Sequence, residues 1–502
     1  MSTLPAMAQD APSDERESFS FAALTDSMRE AAKAPYEPPA PIEGPWAALD
    51  YDAYRRINFD TDRAVWAGDD AVFQLHAYPM GWLFREPLRI FEVTDGTARP
   101  IEFTLDDFRV DPGVAADLSG ENGPSLPGVA GFRINTPLND PSRYDEVVSF
   151  LGASYFRALG RGNTYGISAR GLAVNTATGR DEEFPRFSAA WLERPAPGAE
   201  QIVFYTALES ASVTGAFRFV LRPGETTVID VTTRLFMRQD VRQLGIAPLT
   251  SMYLFGPSDR GGFDDYRPAV HDSEALILTS AGQTSFRQLA NPPRLANSYL
   301  AARNPQSFGL VQRSREFDQY LDSGAHYERR PSLIVEPVGE WGAGNVRLIE
   351  IPSELEVNDN IVAFWVPEAE ARAGDELSFD YRLYWGMDPA GARSDKACVL
   401  RTTTGEGGVS GVANANGHRK FVIDFQGGTL GEIDDPEAVT PSASATNGEI
   451  AEAVLSRIDG TDIWRLVLEV DATSGQAVEL RADLRANDVP LSETWLYQWQ
   501  TE

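Results

Sequence analysis

The chain has 502 residues, of which 42% are hydrophobic and 24% charged. This is a globular profile rather than a disordered or fibrous one, and the length exceeds one ordinary core, so two or three domains are expected. The formal net charge is −30, which repels nucleic acid and anionic membranes as partners, whereas neutral polar ligands such as sugars fit it.

In chain order, residues 4–15, LPAMAQDAPSDE, contain Ala6-Met7-Ala8, the small-x-small pattern of a signal-peptidase site before a polar mature start. Residues 1–18 are read as a signal-peptide remnant or flexible N-terminus, an ordinary polar tail being the alternative. Phe21, Leu24, Met28 and Ala32 recur at helical spacing and stop before Pro35, which predicts a short helix. A second short helical patch is DYDAYRRI, residues 50–57.

Beyond residue 60 the pattern turns to strands. Segments 71–78, 87–93, 99–105, 201–210, 215–224, 226–237 and 346–351 alternate apolar and polar residues between turns rich in Gly, Pro, Asn and Asp. The fold class expected is all-β, with a large antiparallel β-sandwich over residues 19–386. Residues 387–396 read as a connector. Residues 397–502, with strand patterns at 419–427, 450–458, 463–472 and 476–487, fit a smaller sandwich of about seven strands.

Several chemistries lack their residues. The single cysteine, Cys398, allows no disulfide within the chain, and His76, His271, His326 and His418 show no zinc-ligand spacing, so no metal is expected. No G-x-S-x-G elbow, P-loop or dinucleotide fingerprint is present, and no cofactor is expected. The glycine-rich 408–417 reads as a hairpin or loop, and no apolar run approaches the ~18 residues of a membrane span.

Four stretches concentrate polar and aromatic side chains. Residues 150–174 carry Tyr155, Arg157, Tyr165 and Arg170 among glycines, as either a sugar cleft or plain turns. Residues 250–276 hold Asp259, Arg260, Asp264, Asp265, Tyr266, Arg267, His271 and Asp272 in a long loop, where function tends to collect. Residues 325–342 combine Tyr327, Arg329, Glu340 and Trp341, stacking surface beside hydrogen-bonding heads. In residues 352–365, PSELEVNDNIVAFW, Asn358-Asp359-Asn360 reads either as a turn or as a carboxyl at the lip of a buried strand. Glycoside hydrolysis needs only two carboxyls, but among 74 acids composition does not choose the pair.

Read together, FLGASYFRALGRGNTYGISARGLAV, LGIAPLTSMYLFG, DDYRPAVHDSEAL, NPQSFGLVQR, RRPSLIVEPVGEWGAGNVRLIEIP and NDNIVAFW resemble the periplasmic glucan biosynthesis proteins G and D (the OpgG/OpgD, formerly MdoG/MdoD, family), from about Phe21 to the end. The resemblance implies a periplasmic protein with a galactose-mutarotase-like sandwich followed by an immunoglobulin-like domain. It further implies work on β-1,2-linked glucan in osmoregulated periplasmic glucan biosynthesis, as an inverting endo-β-1,2-glucanase. The alternatives are a branching or cyclising transglycosylase and a non-catalytic glucan-binding or assembly factor.

By motif, Asp359 matches the family's general acid, Asp272 its base, and Tyr327 a residue of substrate contact and proton path. Arg329, Trp341, Glu340, Tyr155, Arg267 and His271 join Tyr327 as expected substrate contacts. Burial of Asp359 against Phe364 or Trp365 is expected to keep it protonated. The resemblance leaves open a contact with inner-membrane glucan synthase or export machinery. Residues 287–306 and 274–288 depart from the family in length or aromatic content, in the region expected to shape the cleft.

Overall fold

The structure is a computed structural model that describes residues 17–68, 71–118, 125–179, 181–408, 417–433 and 435–501. Ala6-Met7-Ala8 and most of the glycine-rich 408–417 lie outside the described residues. The expected first helix spans Phe21–Ala31, started by Ser20, whose Oγ accepts from Ala23 N at 3.1 Å. Leu24 and Met28 are its buried residues and pack on Ala189, Tyr205, Ala207, Ala216 and Phe236 of a sheet face.

Two sheets form the large sandwich. A 16-stranded sheet runs through Arg186–Glu193, Ile202–Glu209, Val213–Arg222, Thr227–Met237, Glu376–Gly386 and Ser332–Val338. A 10-stranded sheet runs through Ala343–Glu350, Ile361–Pro367, Leu244–Ser251, Ser168–Arg170, Tyr155–Ala158, Arg143–Leu151 and Val129–Asp140. Phe132, Phe150 and Phe156 of the smaller sheet meet Phe204 and Phe219 of the larger, edge to face at 5.3–5.9 Å, and form the core between the layers. Thr227–Met237 shows the reason in its side chains, which alternate buried and half-buried as a half-solvated strand requires.

The all-β architecture agrees with the sequence patterning, although segment 99–105 differs. Pairing there ends at Pro100, and Leu105–Asp107 is a 3-10 turn capped by Thr104. Proline cannot donate to a ladder, and the Thr104/Asp107 capping pair offers the backbone another partner. In the last hundred residues, Cys398–Glu406, Arg419–Gln426, Trp464–Asp471 and Glu449–Arg457 make a four-stranded sheet. Thr494–Gln500 instead pairs parallel with Gln283–Gln288, extending the 16-stranded sheet. Phe286, Val311 and Ile334 share a core with Val399, Phe421, Trp464 and Trp495, so the last hundred residues are packed as well as paired against the middle of the chain. No helix among the described residues is long and apolar enough to cross a membrane.

Two connections place the acids. Ala343–Glu350 and Ile361–Pro367 pair antiparallel with Glu350 opposite Ile361, so residues 351–360 are the loop of a hairpin. Leu244–Ser251 ends beside it, with Ser251 opposite Ile361. The chain then continues into a small ribbon of Tyr253–Phe255 with Val270–His271. Asp359 sits in the hairpin loop and Asp272 directly after the ribbon.

Candidate active site

Asn360 fixes the loop that carries Asp359. It is buried, its Oδ1 accepts from Tyr253 N (2.8 Å), and its Nδ2 donates to Tyr253 O (2.9 Å) and Ile351 O (3.0 Å). Earlier in the loop, Glu356 accepts from Arg267 Nη1 (2.8 Å) and the Tyr327 hydroxyl (3.4 Å). Arg267 also pairs with Asp265 and Asp322 (2.7 and 2.9 Å). The side-chain hydrogen bond to Asp265 does most to raise the Arg267 pKa.

Asp359 itself faces a cavity of about 560 Å³ lined by Tyr78, Phe84, Glu146, Tyr155, Arg157 and Tyr165 among others. This corrects the expected burial against Phe364 or Trp365. Both rings are fully buried on the strand after the turn, while the Asp359 side chain is one-third exposed at 33%. The Asn360 staple holds it at the rim of the cavity instead. Desolvation by the walls still raises its pKa, against the lowering pull of Arg157, Arg170 and Arg330. Arg157 Nη2 is 3.7 Å from Asp359 Oδ2.

Asp272 is buried, and its Oδ1 accepts from Arg330 Nη1 at 2.6 Å. Burial pushes its carboxyl up to about 7, while Arg330 lowers it, Asp359 raises it and Arg157 lowers it. The two acids therefore sense each other and share Arg157 and Arg330. Arg330 covers the Tyr327 ring at 4.5 Å, and burial raises the Tyr327 phenol so that it stays protonated.

Among the other expected contacts, Tyr155 lines the cavity with Arg170 4.5 Å over its ring. Burial is the main influence raising its pKa. His271 is buried, stacked on Tyr253 at 5.2 Å and edge-on to Tyr320 at 5.3 Å. Burial lowers its pKa to about 4, so it supports the acids as a neutral ring.

Arg329, Glu340 and Trp341 lie elsewhere. Arg329 points outward at 55% exposure from the 3-10 turn Tyr327–Arg329, and its neighbour Arg330 is the residue that turns in. Glu340 is exposed in the crossing from Ser332–Val338 in one sheet to Ala343–Glu350 in the other. Trp341 closes the core there against Phe308, Trp365, Phe379 and Tyr381, with Nε1 donating to Asp380 O at 3.3 Å. An apolar ring between two sheets has no face left for a sugar.

Sequence reading passed over Arg330, Tyr78, Glu146 and Glu356. In the cavity wall Glu146 accepts from the hydroxyls of Tyr165 and Tyr78 (3.2 Å for the latter) and from Arg133 Nη1 (3.1 Å). No local motif marks Glu146, which lies mid-strand and is brought in by pairing alone. A larger cavity of about 730 Å³ lies at the C-terminal junction, floored by Asp259. Burial pushes Asp259 up to about 7, but its oxygens are engaged by Gly256 N, Asn291 N and the Tyr253 hydroxyl (3.2, 2.7 and 2.8 Å). Its role there is structural.

Comparison with known proteins agrees with this arrangement of blocks. The family model for "Periplasmic glucan biosynthesis protein, MdoG" matches residues 19–499. "Glucans biosynthesis protein G" of Cereibacter sphaeroides is 53% identical over 99% of this chain and 93% of its own. The protein of the same name from Rhodopseudomonas palustris strain BisA53 is 43% identical over 96% and 93%. "Glucans biosynthesis protein D" of Xanthomonas campestris pv. campestris strain B100 is 42% identical over 96% and 90%. The matches run through both ends of the fold and through every segment that builds the Asp272–Asp359 site, and the chain belongs to the MdoG family of periplasmic glucan biosynthesis proteins.

Proposed function

We propose that this protein acts in the periplasm, in osmoregulated periplasmic glucan biosynthesis, as an inverting endo-β-1,2-glucanase. The observation that carries the reading is the carboxyl pair. Asp272 and Asp359 both have raised pKa values, each feels the same arginines, and one faces an open cavity. Two coupled carboxyls of this kind share a proton over an intermediate pH range, which is the state acid–base hydrolysis needs.

The proposed reaction needs Asp272 charged and Asp359 protonated; the ion pair with Arg330 favours the charge on Asp272 against its burial, and desolvation favours the proton on Asp359 against Arg157, Arg170 and Arg330. In the proposed reaction Asp359 protonates the departing glycosidic oxygen. Asp272 receives the proton of the attacking water, through the Tyr327 hydroxyl and ordered water or a sugar hydroxyl. Inversion requires room for that water between the carboxyls, roughly 6.5–9.5 Å, or a relay across a wider gap. The glucan backbone would thread past Tyr155 and Arg157, whose ring and guanidinium offer a stacking face and a hydroxyl donor.

Incubation of the purified protein with linear β-1,2-glucan, alongside Asp359→Asn, tests the reading. Shorter reducing oligosaccharides from the wild type alone are expected. Cyclic or rearranged products without new reducing ends would replace hydrolysis by glycosyl transfer. Binding without any product from either protein would leave a glucan-binding assembly factor.

A further inference from the structure

The outer rim of the Asp359 cavity carries an aromatic cluster that the acid–base chemistry does not use. Tyr51 meets Trp82 at 5.3 Å between ring centroids, Trp82 meets Phe84 at 5.7 Å, and Tyr54 lies against both at 6.0 and 5.6 Å. Phe84 belongs to the cluster and also lines the cavity. Tyr51 is 56% exposed and Leu83, between the two loop aromatics, is 68% exposed. Large apolar side chains held out in water at the mouth of a cleft mark a binding surface.

The cluster is built under strain. Trp82 has φ +53°, a left-handed backbone that a bulky aromatic rarely adopts, and such outliers gather at ligand sites. Gly81 and Phe84 close the turn by exchanging backbone hydrogen bonds of 2.9 and 2.8 Å. Trp82 N donates to Trp46 O at 3.2 Å, while Arg85 ties Trp82 O (2.9 Å) to Ala47 O (3.1 Å). On the cavity side Gly152 makes the close approach possible, because a Cβ there would stand 3.1 Å from the Phe84 ring. The loop is pinned on both flanks, with Phe84 against the cavity and Trp82 half-buried beside it.

We propose that Tyr51, Trp82 and Phe84 form an outer sugar subsite, which stacks on a pyranose ring of a glucan chain whose neighbouring residues occupy the Asp359 cavity; this rests on the glucanase reading above. A pyranose offers an apolar C–H face and a rim of hydroxyls. The cluster answers with aromatic faces and, around them, the exposed Asp52 and Arg55. Continuity through Phe84 favours a chain entering from the cavity. An apolar patch of three or four side chains is also far below the roughly 800 Å² per partner of a stable protein interface.

The test uses the full chain carrying Asp359→Asn, expected on that reading to bind without turnover, and compares it with Trp82→Gly and Tyr51→Ala added singly. Glycine accepts φ +53° without strain, so Trp82→Gly removes the ring while keeping the turn. Two size fractions of linear β-1,2-linked glucan are titrated, one long and one short enough to fill only the cavity. The Kd for the long fraction is expected to rise about tenfold in each variant, with the short fraction unchanged. Equal weakening of both fractions, or no weakening, overturns the subsite. Variants that alter sedimentation but not glucan affinity also overturn it, in favour of a protein contact. A parent protein that binds neither fraction overturns the glucanase reading, and the subsite with it.

Discussion

Arg330 Nη1 lies 2.6 Å from Asp272 Oδ1 while the same guanidinium covers the Tyr327 ring at 4.5 Å. One cation thus orients the buried carboxyl and the phenol beside it. It enters the site because Gly166 has no side chain, a Cβ there standing 3.0 Å from Arg330 Cβ and Cδ.

Replacing this cation should move the pH profile. Burial raises Asp272 to about 7 and Arg330 opposes that rise. In Arg330→Gln the opposing charge is gone, so Asp272 ionises at a higher pH and the acidic limb of kcat/KM on β-1,2-glucan moves toward alkaline pH. A limb that stays in place while activity survives would remove Asp272 from the role of base.

Tyr327→Phe keeps the ring under Arg330 and deletes only the hydroxyl that reaches Glu356. If that hydroxyl carries the proton, kcat falls roughly 100-fold with KM little changed. Glucan binding measured on the same variant should match the wild type; a loss confined to KM would instead make Tyr327 a substrate contact.

Asn360→Ala removes two buried and one part-buried hydrogen bond from the acid's loop and leaves Tyr253 N and O without these partners. A loss of about 2–3 kcal/mol is expected in denaturant unfolding. Activity should drop further than the fraction unfolded explains, since Asp359 loses its anchor.

Trp341→Ala separates packing from binding. Truncating this buried ring should cost about 3–5 kcal/mol of stability. Glucan affinity of the folded fraction should be unchanged, and a selective loss of affinity would return Trp341 to the cleft.

His271 gives a pH signature in stability. Its pKa is held near 4 by burial, below the ordinary 6.5, so between those values the unfolded chain binds more protons than the native one. Its contribution is therefore complete above pH 6.5 and is lost as pH falls toward 4, about 3 kcal/mol in all. His271→Phe preserves the stack on Tyr253 and should reduce the fall in unfolding free energy between pH 7 and pH 5 relative to wild type.

Local pattern determined a good deal by itself. Helix Phe21–Ala31 follows from its apolar spacing and Ser20 cap, and Thr227–Met237 follows from alternation, because both signals are periodic in the chain. The Asn358-Asp359-Asn360 stretch reads as a turn, yet the turn itself falls one step earlier, closed by Asn358 N on Leu355 O, and Asp359 and Asn360 follow it into the buried strand; family blocks drew attention to Asp272 and Asp359. Which arginine faces Asp272 was not legible. Arg329 ends the 3-10 turn Tyr327–Arg329 while Arg330 leaves it in extended backbone, so the two look alike in sequence and differ in space, Arg329 exposed and Arg330 on Asp272. Trp341 beside Glu340 reads as a sugar platform until the crossing between sheets buries it, and Glu146 has no signal until strand pairing brings it to Tyr78 and Tyr165. Periodicity and turn chemistry are local and survive in the sequence. Burial, and with it the raised carboxyls of Asp272 and Asp359, comes from segments far apart in the chain, and only tertiary packing decides it.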